Sequence, residues 1–245
     1  MDSARGQREE FGRWWQTRTS EKKEGPTAMI VGSLLTLMAF LLAVTMAMAS
    51  DRFDTRRHIV LAEANAIGTL YLRAGYLPEP AASRLRELIR MYAPLRIATN
   101  ELAEVREGIT RSVEIHARLW SIAEALARSQ PDSDVLALFI ASLNEVIDLH
   151  LTRVTAGLFA RVPETILVLL LVGSLLTLTM VGYNAGLGGR RSPLAAGMLS
   201  VTLGAVITLV VDLDRPRGGF LVVNQQPLLD LVQQIGQRPA ADPAE

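Results

Sequence analysis

The chain has 245 residues, with 25 Lys plus Arg set against 25 Asp plus Glu, so its formal net charge is +0. Balanced charge removes any argument for a globally basic nucleic-acid binder, and no nucleic-acid partner is expected. The absence of cysteine excludes disulfides, thiolate catalysis, iron–sulfur clusters and cysteine zinc sites. A positive mean hydropathy with only 20% charged residues points to segments meant for a lipid bilayer.

Residues 1–26 form a charged N-terminal tail. The next run, residues 27–49, carries no charged side chain, and its 23 residues suffice as helix to cross hydrocarbon about 30 Å thick. Ala47-Met48-Ala49 has the form of a signal-peptidase site, but the apolar run far exceeds the ~7–15 residues of a signal core, so a retained anchor is the better reading. Gly32, Thr36, Ala39, Ala43, Ala47 and Ser50 recur every three or four residues and share one helical face. Two roles suit that face: close packing on another helix, or the lining of a pore.

Residues 33–67 contain neither Gly nor Pro. The helix therefore continues past the bilayer to about residue 77, a rod of roughly 50 residues and ~75 Å, until Pro78 and Pro80 end it. Within it, residues 59–72 are apolar nearly all round, interrupted by Glu63, Asn65, Gly68 and Thr69, which demands packing partners on several sides.

A second helix runs from Ala81 to about Arg96 with Leu85, Leu88, Ile89 and Tyr92 inward, and Pro94 marks its end or a kink. A third, residues 100–129, places Leu102, Val105, Ile109, Val113, His116, Trp120, Ala123 and Ala127 on one stripe, with His116 as a hydrogen-bonded core histidine. Its other face carries Glu107–Arg111, Glu114–Arg118 and Glu124–Arg128 in the favourable i, i+4 order.

After Pro131, with Asp132 or Ser133 as cap, a fourth helix runs to about residue 161. Leu136, Phe139, Leu143 and Val146 belong to its broad apolar surface, against which Asn144, Glu145, Asp148 and Thr152 form a narrow polar stripe. Either these groups pair with Arg residues of neighbouring helices, or they line an ion pathway. Glu145 and Asp148 lack the histidine at the spacing of a carboxylate-bridged metal pair, so no metal is expected.

Residues 165–183 and 194–211 are again free of charge and long enough to span. No Asp, Glu, Lys, Arg or His falls within any of the three spans, which argues against an ion-coupled transporter. Gly186-x-Gly188-Gly189 between them reads as a tight turn, since it follows no strand and lacks the lysine of a phosphate loop. Counted within ~20 residues of the span ends, seven cations flank each side, so charge alone leaves orientation undetermined.

Asp212, Asp214 and Arg215 lie where the third span leaves the bilayer. A helix C-terminus opposes carboxylates, so these need a counter-charge from Arg215, Arg217, Arg56 or Arg57, or else form a charged ring at a pore mouth. The tail, residues 212–245, holds an amphipathic helix at 225–236 that Asn224 can cap and whose apolar face should dock on the domain or lie in the bilayer interface.

The expected fold is an all-α integral membrane protein, with three transmembrane helices and a helical extramembrane domain, residues 50–164, inserted between the first and second. No nucleophile–base pair, phosphate loop or metal-ligand set emerges, so neither an enzyme nor a cofactor is expected.

Three blocks carry a family resemblance. Phe53-Asp54-Thr55-Arg56-Arg57, followed by Glu63-Ala64-Asn65-Ala66-Ile67-Gly68-Thr69-Leu70-Tyr71-Leu72-Arg73, resembles the bestrophin-like domain-of-unknown-function family of bacterial membrane proteins. Leu143-Asn144-Glu145-Val146-Ile147-Asp148 is similar to that family's second motif, and Asp212-Leu213-Asp214-Arg215-Pro216 with Gln226-Pro227-Leu228 to its closing one. The resemblance implies distant kinship with bestrophin anion channels: a homo-oligomer in the lipid bilayer, an inner-membrane location, a cytoplasmic domain and tail, and an inorganic anion as the permeating partner. It departs from the usual four spans, the first being replaced by the charged tail. The alternative reading is a membrane-anchored helical interaction or scaffold protein without transport activity.

Overall fold

The computed structural model describes residues 3–97, 99, 101–158, 162–187, 193–215 and 219–237, with side chains from residue 25 onward. Seven α-helices appear among these residues: α1 (Ser3–Ala74), α2 (Ala81–Tyr92), α3 (Leu102–Ser129), α4 (Asp134–Leu158), α5 (Glu164–Leu187), α6 (Pro193–Asp214) and α7 (Gln226–Gln237). A 3₁₀ turn, Ala93–Arg96, follows α2 where Pro94 withholds an amide. The chain divides into two compact units, Met1–Ser50 with Val162–Asp214, and Asp51–Arg161 with Arg215–Glu245.

The first unit is built from the N-terminal part of α1 with α5 and α6. Its large aliphatic side chains are mostly uncovered: Met29, Leu37 and Phe40 on α1, Val168, Leu171 and Leu175 on α5, and Leu194, Met198 and Val201 on α6. No water-soluble surface exposes such a continuous apolar belt, and lipid is the solvent that suits it. Inside, Met38 and Leu42 meet Leu170 and Leu203. Packing there is close, because a Cβ added at Gly173 would stand 2.9 Å from the Met38 sulfur. The span hydroxyls bond back into their own helices, as Thr36 Oγ1 donates to the Gly32 carbonyl at 2.9 Å, Thr177 to Gly173 at 2.8 Å and Thr208 to Gly204 at 2.8 Å. In hydrocarbon such bonds satisfy those donors, while the buried Ser174 hydroxyl of α5 has no hydrogen-bond partner among the described residues.

The second unit is a helical domain around one core. Ile67, Leu70 and Tyr71 of α1 meet Leu85, Ile89 and Tyr92 of α2, Leu119 of α3, Phe139 and Leu143 of α4, and Leu228 and Ile235 of α7. Each large side chain so buried contributes about 1.5–3 kcal/mol, which explains why residues 59–72 are apolar nearly all round. The α7 helix docks on this core and not on a membrane surface; Arg90 ties its end down, donating from Nε to the Ile235 carbonyl at 3.0 Å and from a terminal nitrogen to the Tyr71 hydroxyl at 2.6 Å. Asn224 accepts from the Gln226 amide at 2.9 Å, opening that helix.

Among the described residues four helices, not three, are long and apolar enough to cross a membrane, the additional one being Asp134–Gly157 in α4. Its Leu136, Phe139, Leu143 and Val146 are fully packed in the domain core, which accounts for their hydropathy without lipid.

Two expected faces need correction. The buried edge of α3 is Ser112, Ile115, His116, Leu119 and Ala123, while Val113 and Trp120 are exposed. The helix is rotated from the expected stripe because Tyr92 and His150 sit against His116, which draws the 112–116–119–123 edge inward. On α4, Asn144, Glu145 and Asp148 face outward. The buried sector there is 136–139–143–146, which leaves residues 144, 145 and 148 on the opposite side at helical pitch.

Candidate functional site

Among the described side chains of α1, Glu63 is the carboxylate that enters the domain core, at 0% exposure. It shares the inward side of α1 with Ile67 and Leu70, whereas the flanking Leu61 and Asn65 are exposed, so a carboxylate placed there has to be paired. Two arginines pair it. Arg96, brought inward by the 3₁₀ turn, donates from Nε to Oε1 at 2.5 Å, and Arg153 of α4 donates to Oε2 at 2.5 Å. Arg153 also donates to the Gln225 side-chain oxygen at 3.0 Å, linking α1, α4 and the start of α7.

Above Arg96 lies a short aromatic stack. The Arg96 guanidinium sits 5.9 Å from the centre of the Tyr92 ring, Tyr92 meets His116 at 4.9 Å, and His116 meets His150 edge-on at 5.0 Å. Burial, helped by the neighbouring Arg96 charge, lowers His116 to about 4 and His150 to about 3. Burial raises the Tyr92 phenol above its ordinary value. Both histidines are therefore neutral at physiological pH. Among the described residues His116 Nε2 and His150 Nδ1 have no hydrogen-bond partner, so at that nitrogen ring packing on Tyr92 and His150 stands where a core hydrogen bond of His116 was expected.

Beside this cluster opens a cavity of about 130 Å³ within the second unit, lined by Arg56, Arg96 and Arg153 and by aliphatic side chains of α1, α3 and α4. Among the described residues no three His, Asp or Glu side chains gather as a metal site would require.

The residues singled out from sequence fall into separate places. Gly32, Thr36, Ala39, Ala43 and Ala47 all lie on the exposed face of α1, opposite Val31, Met38, Leu42, Thr45 and Ala49, which are buried. Arg56 and Glu63 are buried in the second unit, whereas Arg57, Asn65, Asn144, Glu145 and Asp148 are exposed. Asp212 and Asp214 are buried at the end of α6, where Asp214 Oδ1 accepts the Val162 amide at 2.8 Å; Arg215 points outward. A backbone donor thus supplies part of what was expected from arginine. Arg217 and the Gly188–Gly189 pair fall outside the described residues.

Sequence reasoning placed Tyr92 inward, as it is, but missed Arg96, Arg153, His150 and Gln225. The available signal was a single carboxylate in an otherwise all-apolar helix, which requires a cationic partner from elsewhere; Arg96 and Arg153, each next to an apolar stretch, were eligible donors.

Helices with long charge-free segments clothed in exposed aliphatics, joined to a helical domain locked by a buried carboxylate and two arginines, define an all-helical membrane protein. The chain belongs to the bestrophin-like family, whose domain matches residues 11–228. Its fold is similar to the crystal structure of a bacterial bestrophin homologue from Klebsiella pneumoniae, with a TM-score of 0.65 at 18% identity over 86% of this chain and 88% of that one. A point mutant of that homologue gives 0.65 at 19% identity over 85% and 84%. No curated protein matches the sequence.

Proposed function

We propose that this chain is one protomer of a homo-oligomeric pore in the inner membrane that passes small inorganic anions passively. Three helices span in this reading, α1, α5 and α6, while α4 stays in the domain because its apolar sector is already occupied by core contacts. The domain and the α7 tail face the cytoplasm, an assignment supported by family membership alone.

One observation carries the reading. The α1 face formed by Gly32, Thr36, Ala39, Ala43 and Ala47 is left uncovered by the described residues of the chain, although its small side chains are suited to close approach. A lone anchor gains nothing from a small-residue face turned away from its own packing surface. Around an oligomer axis the same face gives an uncharged, narrow wall whose hydroxyls already bond within their helix.

The experiment is anion efflux from liposomes containing the purified protein, with native mass spectrometry of the same preparation. Chloride flux from a defined oligomer is the expected result. A tight oligomer with no flux across voltage, pH and calcium would overturn the pore and favour a membrane-anchored scaffold.

A further inference from the structure

The segment that leads into α7 has no part in the reading above. Phe220, Leu221 and Val222 follow one another outside any helix, at 92%, 42% and 60% exposure. Water solvates such a contiguous apolar run poorly, so it marks a contact surface. It is no loose end either. Val223 packs against the domain core, and Gln225 accepts from Arg153 at 3.0 Å while donating to the Val223 carbonyl at 3.0 Å. The three apolar side chains are thus presented by a segment whose downstream end is pinned.

What covers them follows from the chain around them. The helix α6 carries the charge-free run 194–211 and ends at Asp214, and Phe220 comes six residues later. Six residues of chain reach at most about 22 Å, so the segment stays close to where α6 leaves the bilayer. From Arg215 to Leu229 the sequence has two arginines, Arg215 and Arg217, and no carboxylate, which suits anionic headgroups. The backbone of residues 219–225 is not helical. Irregular backbone is excluded from lipid-facing hydrocarbon, whereas at the headgroup level water still reaches the peptide groups.

We propose that Phe220–Val222 is an interfacial anchor, seated at the boundary between headgroups and acyl chains of the bilayer that α6 crosses. Phe220 and Val222, two residues apart in an extended segment, enter the same side of that boundary, and the exposed Arg215 meets lipid phosphates. The anchor ties the start of α7 to the membrane surface. It acts whether or not the protein conducts ions.

The absence of cysteine makes the test direct, because one introduced thiol takes a nitroxide label at a single site. Phe220→Cys and Val222→Cys, labelled as full chains, are reconstituted in vesicles of phosphatidylcholine and phosphatidylglycerol. Power-saturation EPR then compares collisions with oxygen, which concentrates in lipid, and with a water-soluble nickel chelate. Leu175→Cys, at a position 58% exposed on α5, is the lipid reference, and Tyr76→Cys, at one 74% exposed just after α1, is the water reference. Both anchor labels should favour oxygen, with a smaller ratio than Leu175→Cys because they sit shallower, while Tyr76→Cys should favour nickel. Collisions dominated by nickel at either anchor site would place the segment in water and overturn the proposal. Few collisions with both reagents would overturn it too, in favour of a contact with a second copy of the chain. Should Phe220→Cys fail to fold, Val222→Cys decides by the same readings.

Discussion

Glu63 and Arg153 lie 90 residues apart in sequence and meet at 2.5 Å inside the helical domain, with Arg96 on the other carboxylate oxygen. The contact joins the long α1 helix to α4, so the domain's assembly depends on one fully buried charge. Removing that charge leaves two guanidinium groups confined against apolar walls. Glu63→Gln should therefore lower domain stability by about 3–5 kcal/mol. Arg153→Met should cost less, since Arg153 is partly exposed and Arg96 still answers the carboxylate. Denaturant titration in detergent measures both, and equal losses would show that Arg96 alone cannot hold Glu63.

Acid should loosen the same domain. His116 and His150 titrate at about 4 and about 3 in the fold, against 6.5 in an unfolded chain. Their folded values are depressed, so the unfolded state takes up protons first as pH falls. Stability is then fully present above about pH 6.5 and declines below it, by up to about 1.4 kcal/mol per pH unit for each histidine, until the folded values are reached. Thermal midpoints at pH 7.5, 6 and 5 should fall in that order. His150→Leu should flatten part of the slope, because it removes one of the two proton acceptors while keeping an apolar side chain beside His116.

How much of this could be read in advance varies with the physical origin of each feature. Segments without charge were plain, and residues 165–183 and 194–211 lie inside α5 and α6, because long apolar runs are a composition signal. Two of the three i, i+4 pairs expected on α3 were equally legible, Glu107–Arg111 and Glu124–Arg128 closing at 2.8 and 2.7 Å, whereas Glu114 and Arg118 form no ion pair among the described residues. The rotation of α3 was not legible, since Ile115 and Leu119 compete with Val113 and Trp120 for the inward side, and the choice depends on where His150 arrives from α4. The site was hidden for a similar reason. Glu63 was visible as an oddity, but its partners come from a 3₁₀ turn and from a distant helix, and no local spacing announces them.

The packing of α1 on α5 gives a third prediction. An added Cβ at Gly173 would stand 2.9 Å from the Met38 sulfur, which is the movable end of a flexible side chain. Gly173→Ala should therefore be nearly neutral, the small displacement of Met38 being offset by better helix propensity. Gly173→Leu has no such relief and should destabilise by about 1–3 kcal/mol. Met38→Ala in the Gly173→Leu background should recover much of that loss by freeing volume at the contact. Thermal unfolding of the four proteins measures the coupling, and additive effects would mean the two residues do not share one space.

The uncovered face of α1 gives the last, and it bears on the proposed pore directly. Ala43 is exposed in the single chain, on the side opposite Met38 and Leu42. A tryptophan there meets nothing of its own chain, so Ala43→Trp should fold with unchanged helix content. If copies of the chain pack through this face, the added bulk forces the helices apart. The variant should then lose the oligomer in native mass spectra and its anion flux in liposomes. Leu175→Trp is the matched control, since Leu175 is 58% exposed on α5 and its bulk would meet lipid. That variant should keep both oligomer and flux. An intact oligomer in Ala43→Trp would assign the small-residue face to lipid and remove the observation on which the pore reading rests.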